Sequence, residues 1–90
     1  MLKLIAAAIK YYPIDSKYPQ IVCAERHCDC FEWMFKHQVE YDKKSHQQGF
    51  LTSDNQFVDR YEAMEIAHFS KQILEEDYRK GKPLFSEDVW

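Results

Sequence analysis

Between residues 2 and 12 the chain alternates imperfectly, with Leu2, Leu4, Ala6 and Ala8 in one register and Ile5, Ala7 and Ile9 in the other. Two apolar registers predict a strand covered on both faces. Pro13 to Pro19 holds two prolines and the Asp15-Ser16 pair, which predicts a loop closing a hairpin onto a second strand over Gln20 to Ala24. From Arg26 to Tyr41 neither Gly nor Pro interrupts, and Cys28, Phe31, Phe35 and Val39 recur at helical spacing. That stripe predicts a first helix with those four residues inward. After the polar link Asp42 to His46, the runs Gln48 to Thr52 and Gln56 to Val58 bracket Ser53-Asp54-Asn55, a hairpin signal. Asp59 followed three residues later by Glu62 predicts the reciprocally capped start of a second helix. The stripe Ala63, Ile66, Ala67, Ser70 and Ile73 suits close packing on a sheet, with fraying near Leu74 to Glu76. Gly81 and Pro83 then break the chain before the apolar tail Leu84 to Trp90. The order β-β-α-β-β-α predicts one α+β domain over residues 1–90, two hairpins forming an antiparallel sheet with two helices on one face.

Composition changes this picture in three respects. Ninety residues, 46% hydrophobic and 16% aromatic, suffice for one modest core, and a core that small often needs a supplement to its stability. The three cysteines are an odd number, so a closed disulfide framework cannot use them all, and the apolar run after Lys3 is short for a signal peptide. The expected compartment is therefore the cytoplasm. The expected supplement is homo-oligomerisation, with Tyr11, Tyr12, Tyr18, Trp33 and Trp90 as aromatic surface beyond what one domain buries. A net charge of −3 gives no basic footprint for a DNA or RNA duplex, and no apolar stretch has membrane length.

Candidate chemistry is sparse. Cys23, His27, Cys28 and Cys30 fall within eight residues, but their spacing is not that of paired zinc knuckles, and His27 and Cys28 are helix neighbours that do not face each other. Glu65 and His68 have di-iron spacing without a second such pair. No catalytic residue, metal or cofactor is expected. More informative are Arg26-His27 at one helix start and Asp59-Arg60 at the next, with Gln48, Phe50 and Phe57 near the second. Helix N-termini attract anions, guanidinium forks suit phosphate and aromatic faces accept a purine. This chemistry makes Arg26 and Arg60 phosphate contacts, Phe50 and then Phe57 stacking rings, and Gln48 and Asp59 readers of ribose or base edges, with His27 beside them. The plainer reading keeps the arginines as surface ion-pair partners and the phenylalanines as core.

The motifs Leu4 to Lys10, Arg26 to Asp29, Gln48 to Thr52, Phe57 to Ala63, Ile66-Ala67, Gln72-Ile73 and Leu84 to Trp90 span nearly the whole chain. In that order they resemble small phage and prophage proteins, and are similar to the Thoeris anti-defence family, the first type described. The resemblance implies a sponge that binds cyclic ADP-ribose isomers made by TIR-domain defence enzymes without hydrolysing them. It also implies homo-oligomers, from dimers up to hexamers, with cyclic oligonucleotide signals at separate sites in some members. The expected function is thus sequestration of a cyclic nucleotide messenger in the cytoplasm of an infected bacterium. The alternatives are a small phage protein that inhibits a host protein by direct contact, and a structural phage component. Glu87, Asp88 and Trp90 are candidates for contact with a neighbouring subunit.

Overall fold

The computed structural model describes residues 1–90. Strands β1 (Leu4–Tyr11), β2 (Gln20–Ala24), β3 (Gln47–Thr52) and β4 (Phe57–Asp59) form one antiparallel sheet in the order β2-β1-β3-β4. Helices α1 (His27–Lys36) and α2 (Arg60–Phe69) lie on one face, and a short helix α3 (Ser86–Val89) follows a 3-10 turn at Glu75–Asp77. The α+β architecture is the one the sequence predicts: each hairpin supplies one edge, and β1 pairs with β3 at the centre.

Register decides which residues meet the helices. Ala7 stands opposite Phe50, Ile9 opposite Val22, and Phe50 opposite Val58, so these side chains share a face by the two-residue period of a strand. Under α2, Ala7, Phe50 and Val58 join Leu4, Ala63, Met64, Ala67, Ile73 and Leu84 in one buried cluster. Under α1, Ile9, Tyr11 and Val22 meet Cys30 and Met34. Alanines at positions 63 and 67 let the α2 backbone approach the sheet.

Five expectations change, one of them the end of α2, which stops at Phe69 and not near Leu74 to Glu76 because Lys71 adopts φ 61° and the Gln72 N–H bonds the Ala67 carbonyl at 2.8 Å. The second face of β1 is not covered by any element: Ile5 there is exposed, whereas Ala6 and Ala8 are small enough to be shielded by their strand neighbours. Helix α1 ends at Lys36, five residues early, because Gln38 adopts φ 53°. The Gln38 N–H then bonds the Phe35 carbonyl at 3.1 Å and the Val39 N–H the Met34 carbonyl at 3.0 Å, a Schellman stop built without glycine. Its fully buried residues are His27, Cys30 and Met34; of the predicted stripe, Phe31 and Val39 are half-buried against the same core, whereas Cys28 is exposed and Phe35 is 84% exposed. Both stripes repeat at helical spacing, and Val39 turning back onto the core fixes the rotation that buries the less hydrophobic one. Finally, Tyr11 is buried and Trp90 half-buried, so these two aromatics complete the core of the chain itself.

The tail docks across the helix starts. Leu84 donates its N–H to the Arg60 carbonyl at 2.9 Å and is fully buried. Ser86 Oγ accepts the His27 N–H at 3.3 Å, satisfying one of the amides left open by α1. No helix is long and apolar enough to cross a membrane.

Candidate functional site

A polar cleft of about 320 Å³ opens between the start of β3 and the start of α2, lined by His46, Gln47, Gln48, Asp59, Arg60 and Tyr61. Strand pairing explains the meeting: Gly49 stands opposite Asp59, which sets the residues just before one and just after the other at the same end of the sheet. Three of the residues singled out in the sequence, Gln48, Asp59 and Arg60, therefore line one cavity. Asp59 has one oxygen committed, since Oδ1 accepts the Glu62 N–H at 2.7 Å and caps α2. The reciprocal bond from Glu62 is not formed. Arg60 sits with its guanidinium carbon 5.1 Å from the centre of the Phe85 ring, a cation–π contact that ties the cleft's cation to the tail. His46 packs edge-on against Phe31 and Tyr41, with ring centres 5.8 and 5.9 Å away.

The other four candidates lie elsewhere. Phe50 is 0% exposed and packs among the β1 and α2 side chains, so its ring has no face open to a base. Phe57 points to the opposite face of the sheet, where its ring covers Gly49 and Lys10 lies 6.0 Å from its centre. Arg26 is exposed, and its Nη2 donates to the Trp90 backbone oxygen at 2.8 Å. His27 is buried, with Nε2 2.6 Å from the Gly49 carbonyl and its ring edge-on to Phe50. A carbonyl only accepts, so Nε2 carries the proton. Burial holds this imidazole below the ordinary histidine range; the bond to Gly49 raises it, Arg60 lowers it further and Glu87 raises it. Both helix starts are thus occupied from within, α1 by Ser86 and α2 by Asp59, and neither is an open anion seat.

The cysteines diverge. Cys23 is exposed on the uncovered face of the sheet, Cys28 is exposed on α1, and Cys30 is buried against the Ala7 and Val22 carbonyls. Burial pushes the Cys30 thiol up to about 11. His68 is held by Glu75 at 3.1 Å and stacks on Tyr78, whose hydroxyl donates to Glu65. Sequence reasoning missed His46, Gln47 and Tyr61; their only signal was adjacency to Gln48 and Arg60.

A four-stranded antiparallel sheet with helices on one face and a polar cleft at one end defines a small α+β protein whose site is built from strand and helix termini. The chain belongs to the phage T4 y16D protein family, whose model matches residues 3–90. Neither a curated protein nor a solved structure matches it.

Proposed function

We propose that this phage-family protein sequesters a cyclic nucleotide messenger, a cyclic ADP-ribose isomer in the first instance, in the cytoplasm of an infected bacterium and does not cleave it. The observation that carries the reading is the convergence of Gln48, Asp59 and Arg60 with His46, Gln47 and Tyr61 in one cleft. A guanidinium suits a phosphate, the two amides and the free oxygen of Asp59 suit hydroxyls and base edges, and the exposed Tyr61 ring suits a purine. Holding a ligand needs this donor set and no reacting group. The revised contact set keeps Gln48, Asp59 and Arg60 and leaves out Phe50, which is sealed in the core.

The test is ultrafiltration of the protein with a cyclic ADP-ribose isomer, followed by heating the retained fraction and examining the released nucleotide. Intact ligand in the retained fraction supports sequestration. Altered ligand means an enzyme, and no retention sinks the proposal. Within it, Arg60→Ala is expected to weaken binding about 10- to 100-fold, the worth of a charged hydrogen bond, and Arg26→Ala to leave it within about twofold.

A further inference from the structure

A second cavity lies on the other side of α2 and shares no residue with the polar cleft. It is an apolar groove of about 540 Å³, lined by Met1, Leu2, Glu62, Glu65, Ile66 and Phe69. Glu62, Ile66 and Phe69 follow one another at four- and three-residue steps and so form a single stripe of the helix. Phe69 is 78% exposed and Leu2 44%, so the floor of the groove is uncovered apolar surface. Neither carboxylate on its border is in an ion pair, with the Met1 ammonium of the same lining or with any side chain. The chain's ion pairs join Lys36 to Glu32 and His68 to Glu75, and Glu65 has only the neutral Tyr78 hydroxyl, 2.9 Å from its oxygens. Glu62, freed from the capping box that its spacing predicts, makes no side-chain bond at all.

From this geometry we infer that the groove is a docking site for a basic amphipathic helix of another protein, its apolar stripe on Leu2, Ile66 and Phe69 and its Lys or Arg side chains on Glu62 and Glu65. Charge decides between occupants. A second copy on a two-fold axis presents the same patch to itself, setting the Glu62 and Glu65 carboxylates of one molecule near those of the other, which is repulsive. A cationic helix neutralises both carboxylates and covers the apolar floor at once, the helix-in-groove mode of recognition. The inference is independent of the nucleotide reading, since it uses none of the cleft residues.

The probe is a synthetic 18-residue peptide with leucines at helical spacing flanked by lysines, labelled for fluorescence anisotropy and titrated with the full chain. Its counterparts carry glutamate for every lysine, or the same residues in scrambled order. Binding of the lysine peptide alone is expected. It should weaken about tenfold in Glu62→Lys/Glu65→Lys and in Phe69→Ser, and stay unchanged in Glu25→Lys/Glu40→Lys, which carries the same net charge away from the groove. Equal loss in both double variants means bulk attraction and overturns the proposal. So does binding of the scrambled peptide, or a dimer whose formation depends on Phe69. Circular dichroism of each variant separates loss of the site from loss of the fold, and retention of the cyclic nucleotide by Phe69→Ser separates this proposal from the preceding one.

Discussion

At the scale of single residues, His27 joins α1, β3 and the tail through one ring and one amide. Because burial lowers its folded-state pKa, the unfolded chain binds the extra proton first as pH falls. The sign follows from proton linkage. His27's contribution is complete well above the unfolded value of 6.5 and is lost as pH drops below it toward the folded pKa. Urea melts from pH 8 to 5 are expected to show stability falling below about pH 6.5, with a shallower fall in His27→Gln. Gly49 is the neighbouring constraint: a Cβ there would sit 2.5 Å from the Phe57 ring and clash with the Val58 carbonyl oxygen. Gly49→Ala is therefore expected to cost about 1–3 kcal/mol by the same measurement, because backbone cannot move aside cheaply.

Among the elements, the helix ends carry most of what can be tested. Removing the Asp59 cap should destabilise α2 by about 1 kcal/mol, measurable as a lowered urea midpoint in Asp59→Ala with an unchanged m-value. Stops at Gln38 and Lys71 work in the opposite sense. Both residues hold positive φ, 53° and 61°, where glycine carries no Cβ penalty. Gln38→Gly and Lys71→Gly are each expected to stabilise the chain by about 0.5–1 kcal/mol, and a loss of stability would show that these side chains contribute more than their strain costs. The N-terminus of α2 was legible in the sequence because the cap is local, a carboxylate three residues from the amide it accepts. The end of α1 was not, because its stop depends on Val39 finding the core and not on a residue type that marks a terminus.

Taken as a whole molecule, the sheet has one face under helices and one without. The uncovered face presents Ile5, Ile21, Cys23 and Phe57, and β2 and β4 are its free edges. Exposed apolar surface of this kind, on a chain of 10.9 kDa, supports assembly into homo-oligomers through the sheet, distinct from the acidic groove. Light scattering is expected to give a mass of at least twice the chain's, reduced to the monomer by Ile21→Asp with the circular dichroism spectrum unchanged. A monomeric parent would overturn this.

By itself the sequence determined the element order, the two hairpins, the α+β class and the cap of α2, since strand alternation, turn residues and a capping carboxylate act over fewer than about eight positions. The same local information pointed at Gln48, Asp59 and Arg60 as chemistry near a helix start. Tertiary structure alone decided which of two equally periodic stripes of α1 turned inward. It also decided that Phe50 was core, that the tail filled the start of α1, and that His46 and Tyr61 joined the cleft. These outcomes rest on contacts between residues far apart in the chain, whose relative placement is set by strand register and by how closely each helix approaches the sheet.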